Sequence, residues 1–316
     1  MGAIERLGIS ITGDADAAIS PEQAQTQQTF GFKWNRRDTY ESEAMRSTAR
    51  QWLIERYCGG DETVVAQWLA GDRKIILDAG CGAAFSALLL FDGALCDHDY
   101  LGIDISDAVS VARERFKQAG LPGDFLQVGL FEAPIPDDSV DIIFSEGVLH
   151  HTDSTERAIK HLARKLRPGG RFLFYVYAKK AVIREFTDDH IRDALRPLSD
   201  EEAWTALEPL TKLGQSLGAL NVTLTVPEDI PFLGIKRGEV DLQRFFYWNI
   251  CKLFYRPAFT LDEMNHINFD WYRPLNCHRQ TPEEVRLWSE EAGLAIERMD
   301  VQEAGITVVA RRTIDD

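Results

Sequence analysis

The 316-residue chain has five cysteines, Cys58, Cys81, Cys96, Cys251 and Cys277, and no CxxC pair among them. Thiols scattered in this way suggest neither a zinc cluster nor a disulfide framework, so they read as reduced and structural. Long apolar runs are missing as well. No stretch approaches the roughly 18 residues of a membrane span, and the N-terminus lacks a basic region followed by a hydrophobic one. A soluble, cytoplasmic protein without membrane contact is expected. Positive charge is also short: 35 Lys and Arg stand against 50 Asp and Glu, a formal net charge of -15. That balance repels a polyanion and argues against nucleic acid as a partner.

What is present divides the chain. Residues 14–29, "DADAAISPEQAQTQQT", are polar and carry no core periodicity, so a mobile N-terminal arm is expected over 1–29. Phe30, Phe32, Trp34 and Tyr40 are too apolar to leave in water, and apolar positions at 45, 49, 52, 53 and 57 follow helical spacing. Residues 30–60 therefore read as a lid segment followed by a helix. Strands at 74–79, 100–104, 124–128, 140–145 and 171–177 alternate with helices at 84–92, 107–118 and 154–166, the pattern of a parallel, doubly wound sheet. After Ala178 the rhythm stops. It resumes with a helix at 282–292 and strands at 295–301 and 306–312, whose connection is too short for a parallel crossover. The expected fold is α/β: a Rossmann-like, mostly parallel seven-stranded sheet formed by 61–178 and 282–316, closed by an antiparallel C-terminal hairpin, with 179–281 inserted as a helical, aromatic-rich cap.

The stretch "ILDAGCGAAF" (75–84 plus Phe85) ends an apolar strand in an acid and a turn of small residues. Such a turn, leading into a helix, lets a ligand touch the main chain at the carboxyl edge of the sheet. The second strand ends in Asp104, 22 residues after Gly82, where an acid can accept hydrogen bonds from both hydroxyls of a ribose. An adenosine-containing ligand follows. A dinucleotide fits less well: Phe85 stands where a third glycine is required, and Asp78 suits an ammonium better than a phosphate.

With "DAGCGAAF", "DDSVDIIFSEGVLHHT" (137–152) and "LARKLRPGGRFLF" (162–174), the sequence resembles the class I S-adenosylmethionine-dependent methyltransferases of the small-molecule type. The resemblance implies S-adenosylmethionine as cofactor and methyl transfer to a small-molecule acceptor by in-line displacement. Asp78, Gly80, Cys81, Gly82 and Ser145 would surround its methionine end, Asp104 its ribose, and Ile105, Leu130 and Phe131 its adenine. Trp34 and Tyr40 are candidates for a lid over it. The acid that many relatives carry after the third strand is Gly129 here. Two other readings stay open, a non-catalytic module that binds the cofactor and a nicotinamide-dependent oxidoreductase. A homodimer is also left open.

Glu146, His150 and His151 follow the fourth strand, and a histidine there can serve as general base because its ordinary pKa lies near neutrality. In the insertion, "NHINFDWYRPLNCH" mixes polar groups with aromatics without helical periodicity. Asp270, Tyr272, Arg273 and His278, with Trp248, are therefore expected to line an acceptor pocket. No recognised metal-ligand spacing is present, and no metal is expected.

Overall fold

The computed structural model describes residues 2–10 and 19–314. In chain order its elements are α1 (Ala3–Arg6), α2 (Pro21–Asn35), α3 (Glu43–Cys58), α4 (Thr63–Leu69), β1 (Ile75–Ala79), α5 (Phe85–Phe91), β2 (Asp99–Asp104), α6 (Val109–Ala119), β3 (Asp124–Gln127), β4 (Val140–Glu146), α7 (Thr155–Lys165) and β5 (Leu166–Tyr177). They continue with α8 (Val182–Leu195), α9 (Asp200–Ala219), β6 (Thr223–Val226), β7 (Gly238–Asp241), α10 (Leu242–Asn249), α11 (Leu261–Tyr272), α12 (Pro282–Glu291), β8 (Leu294–Val301) and β9 (Gly305–Arg312). Two compact units result, one from Met1–Asn35, Ser47–Ala178 and His278–Asp316, the other from Arg36–Arg46 and Lys179–Cys277.

The first unit is a seven-stranded sheet in the order β3-β2-β1-β4-β5-β9-β8. β1 to β5 are parallel, and β9 runs antiparallel between β5 and β8. β1, β2 and most of β4 are buried on both faces, which is why they read as continuous apolar runs rather than alternating ones. Chain order reverses between β1 and β4, and at such a switch point the carboxyl ends of the strands leave a crevice for ligands.

The expected mobile arm over 1–29 is corrected where the structure describes it; residues 11–18 lie outside the described residues. Residues 21–35 are helix. Ser20 caps it by accepting from the Gln23 N–H at 3.0 Å, and Pro21 opens it with its φ already set. The face that packs inward carries Thr26, Thr29, Gly31 and Lys33, so no apolar stripe announces the helix in the sequence.

A second correction concerns "NHINFDWYRPLNCH" (265–278), which lacked helical periodicity and was expected to line a pocket; its first eight residues belong to a helix over 261–272. It is helix α11, opened by a reciprocal cap in which Thr260 Oγ1 accepts from Glu263 N at 3.2 Å and Glu263 Oε2 accepts from Thr260 N at 2.7 Å. Nearly every side of it is buried, and a helix enclosed all round has no polar stripe to reveal its period. Its polar residues pair internally: Thr211 Oγ1 donates to Asn265 Oδ1 at 2.6 Å and accepts from Asn268 Nδ2 at 2.9 Å.

Candidate functional site

In the first unit the glycine turn follows β1 directly. The N–H groups of Gly80 and Cys81 both donate to Ile103 O, at 2.8 and 2.9 Å, which ties the turn to the end of β2. Gly80 has φ +84°, and a Cβ there would lie 2.2 Å from Val148 Cγ1, so no other residue fits without moving the segment after β4. Gly82 donates its N–H to Asp104 Oδ2 at 2.8 Å. The other Asp104 oxygen accepts from Ser106 N and Oγ at 2.8 and 2.6 Å. Asp104 is thus held by the turn it faces. Burial raises its pKa, with the Ser106 and Gly82 hydrogen bonds opposing.

Asp78 lies beneath the same turn, buried, accepting from Tyr100 OH at 2.6 Å. Burial pushes its carboxyl up to about 7; the Tyr100 hydrogen bond opposes this, and the charges of Asp104 and Glu146 reinforce it. Cys81 is a buried thiol whose pKa burial raises well above normal, so it packs and does not react. Ser145 is fully buried and spends its hydroxyl on Ala79 O at 2.8 Å, pinning β4 to β1.

Helix α2 crosses these strand ends. Ser20 Oγ donates to Asp153 Oδ1 at 2.8 Å, the Phe30 ring meets the edge of His151 at 5.0 Å, and a Cβ on Gly31 would lie 2.8 Å from Asp107 Oδ1. Trp34 completes the line: a Cβ on Gly82 would lie 2.5 Å from its Nε1, and its ring sits 6.5 Å from Phe85. The indole therefore lies on the glycine turn. Tyr40, the other lid candidate, belongs to the second unit. It is buried there, its ring 5.3 Å from His266, whose Nδ1 bonds Thr39 Oγ1 at 2.7 Å.

The side chains expected to do acid–base work are differently placed. Glu146 is fully engaged: Arg56 Nη2 and Tyr57 OH each reach one of its oxygens at 2.6 Å. That arrangement fastens α3 to the end of β4. His150 is completely buried with its ring 3.7 Å from Tyr177, and His151 is 2% exposed, 4.2 Å from His150. His278 joins them, because its N–H donates to His150 O at 2.9 Å. Its Nε2 is buried and has no hydrogen-bond partner among the described residues.

Ile105 is half-buried just past β2, Leu130 is buried, and the Phe131 ring packs 5.3 Å from His161. One residue here escaped the sequence reading. A Cβ on Gly129 would lie 2.1 Å from Glu132 Oε2 and 3.9 Å from Ile105 Cδ1, so Glu132 brings a carboxylate back to the place where an acid was missing. An acid three positions beyond Gly129 was the available signal.

In the second unit the expected pocket lining is mostly interior. Tyr272 donates its hydroxyl to Asp188 Oδ1 at 2.7 Å and to Lys252 O at 3.0 Å. Arg273 pairs with Asp200 at 2.6 Å and binds Leu195 O and Leu198 O at 3.3 and 2.8 Å. These two were expected to face a ligand; the structure commits their polar atoms to the interior of the second unit. Asp270 and Trp248 are half-buried, Trp248 packed edge-on to Tyr247 at 4.5 Å.

A doubly wound sheet whose first turn carries glycines and an acid, and whose second strand ends in a buried acid, defines a nucleoside-binding α/β domain. Residues 77–174 match the methyltransferase-domain family. Over that stretch the chain is similar to S-adenosylmethionine-dependent methyltransferases. It is 38% identical over 121 residues to the malonyl-[acyl-carrier protein] O-methyltransferase of Methylococcus capsulatus, covering 35% of this chain and 42% of that protein. To the arsenite methyltransferase of Halobacterium salinarum it is 24% identical over 167 residues, 52% of this chain and 40% of that one. Among solved structures, the magnesium protoporphyrin IX methyltransferase of Synechocystis aligns over 95% of this chain and 100% of its own, with 13% identity and a TM-score of 0.49. The chain spans between 29% and 48% of the length of the first curated relatives it matches.

Proposed function

We propose that this protein transfers the methyl group of S-adenosylmethionine to a small-molecule acceptor. The observation that carries the reading is the pair of buried acids, Asp78 and Asp104, at one glycine turn. Two carboxylates there repel a pyrophosphate and suit a ligand with a cationic end and a ribose diol. S-adenosylmethionine, when bound, supplies a methyl group on a sulfonium. The turn of Gly80 and Gly82, packed under Val148 and Trp34 beside Asp78 and Cys81, is where its methionine end would lie. Asp104 would accept from the ribose hydroxyls, Ile105, Leu130 and Phe131 would enclose the adenine, and Glu132 would accept from its amine. Trp34 roofs the site and excludes water. Because an in-line displacement is accelerated chiefly by alignment, the protein's remaining task is to hold the acceptor and take its proton. His278 Nε2, buried near His150 and without a hydrogen-bond partner among the described residues, is our assignment for that proton.

A small acceptor is consistent with the names of the relatives, one of which acts on arsenite. The test is calorimetry with S-adenosylhomocysteine followed by transfer of a labelled methyl group across a panel of phenols, amines and carboxylic acids. Binding with turnover on one class is expected. Binding of NADH in place of S-adenosylhomocysteine would sink the reading, and binding without turnover on any acceptor would leave only a cofactor-binding module.

Asp78 makes cofactor binding pH-dependent. Its folded pKa of about 7 lies above the ordinary carboxylate value, so at pH 6 it is largely protonated and at pH 8 largely ionised. A cationic ligand binds better to the ionised form. S-adenosylmethionine affinity should therefore rise with pH, by up to about tenfold from pH 6 to 8, and level off above. Asp78→Asn should show a flat profile; a wild-type profile that is flat or falls would refute the assignment of Asp78 to the cationic end.

A further inference from the structure

Four cationic side chains of the second unit converge on one indole. The ammonium groups of Lys180 and Lys252 lie 5.3 and 5.1 Å from the centroid of Trp271, and the guanidiniums of Arg184 and Arg192 lie 5.4 and 4.8 Å from it. Both guanidiniums are used by the protein. Arg184 gives Nε to Asp188 Oδ2 at 2.6 Å and Nη1 to Tyr247 O. Arg192 gives Nε and Nη2 to Trp271 O at 3.1 and 3.0 Å, and Nη1 to Asp189 at 2.9 Å.

Lys252 differs. It is only 7% exposed, its N–H and C=O are taken by Asp188 and Tyr272, and its ammonium makes no hydrogen bond among the described residues. Asp188 is already occupied: its two oxygens accept from Arg184, Trp271, Tyr272 and the Lys252 N–H. Asp270 acts on Lys252 through its charge alone. Lys180 stands at the half-buried edge of the cluster, which gives the group an approach from solvent, and its own N–H is fastened to Glu185 Oε1 at 2.6 Å. Burial pushes both amines down to about 7; Arg184 adds repulsion at Lys180, while Asp270 opposes the shift at Lys252. The Lys252 ammonium, in a residue only 7% exposed, is offered no acceptor by the described residues, and an arriving carboxylate would supply one.

We infer that the second unit binds the carboxylate of a small-molecule ligand on Lys180 and Lys252, against the face of Trp271. A single negative charge suits the site better than a phosphate dianion, because Asp188 and Asp270 already act on the cluster. The inference rests on the methyltransferase reading only in calling that ligand the acceptor. If so, the acceptor is a carboxylic acid whose charged end is held by the lysines, leaving its nucleophilic atom free.

Calorimetry on the full chain with benzoate, benzamide and inorganic phosphate as probes tests it. Benzoate should bind at least tenfold more tightly than benzamide, and Lys252→Met and Lys180→Met should each weaken benzoate at least tenfold. Lys252→Arg, which restores a cation, should recover part of the loss. Equal binding of benzamide and benzoate, preference for phosphate, or unchanged benzoate affinity in a folded Lys252→Met protein would each overturn the site. If Lys252→Met does not fold, the wild-type comparison and Lys180→Met decide it. A parallel titration with S-adenosylhomocysteine separates the two readings: lysine-dependent benzoate binding without it would refute the cofactor assignment and leave this site standing.

Discussion

Replacing Asp104 with alanine is expected to weaken S-adenosylhomocysteine binding by about a hundredfold or more while leaving the far-ultraviolet circular dichroism unchanged. Each hydrogen bond from a ribose hydroxyl to a buried carboxylate contributes about 1.5 to 3 kcal/mol, and about 1.4 kcal/mol is a factor of ten. Two such bonds are lost together. The same carboxylate also holds Gly82 and Ser106, so its removal loosens the turn that would meet the methionine end. Ser106→Ala separates the contributions. It keeps the backbone bond to Asp104 and should lose less than tenfold. Calorimetry on both variants checks the point, and an Asp104→Ala protein with wild-type affinity would remove the cofactor from this turn.

The second large effect is structural and lies in the second unit. Asp188, 1% exposed, accepts from Arg184 Nε, Trp271 Nε1, Tyr272 OH and the Lys252 N–H at 2.6 to 3.1 Å. Asp188→Ala leaves the buried Arg184 charge without its carboxylate and takes the acceptor from Trp271 Nε1 and the Lys252 N–H, while the Tyr272 hydroxyl keeps Lys252 O. Breaking a buried ion pair from one side typically destabilises by about 3 to 5 kcal/mol. A melting temperature lower by about 10 °C is expected. Tyr272→Phe removes one neutral donor from the same acid and should lose only about 1 kcal/mol. Denaturant titration followed by tryptophan fluorescence measures both, and a loss below 1 kcal/mol for Asp188→Ala would show that the network is not what holds the cap together.

Several parts of this architecture were legible before any coordinates. The turn after β1 is readable because a close ligand approach and positive φ demand glycine, and because the acid ending β2 falls at a spacing set by one strand–helix–strand unit. The C-terminal hairpin is readable because the four residues Gln302 to Gly305 between its strands cannot carry a parallel crossover. Helix α2 was not readable. Its inward face is threonine, glycine and a lysine whose amine rests 4.1 Å from the Trp34 ring, and polar or small residues in that role look like a tail. Helix α11 failed for the opposite reason, since burial on nearly all sides erased its period.

Local sequence determined the sheet, the glycine turn and the acids that flank it, because strand pattern, turn chemistry and helix caps act over a few residues. Which side chains have free polar atoms was decided only in three dimensions. Glu146 and Tyr272 have the same reactive groups as any glutamate or tyrosine, yet Arg56, Tyr57 and Asp188 consume them. Among the described residues His278 Nε2 is left without such a partner, and Glu132 reaches the place that Gly129 leaves empty. Hydrogen-bond satisfaction here depends on residues 84 to 90 positions apart, as between Arg56 and Glu146 or Tyr272 and Asp188, and that pairing is set by packing rather than by spacing.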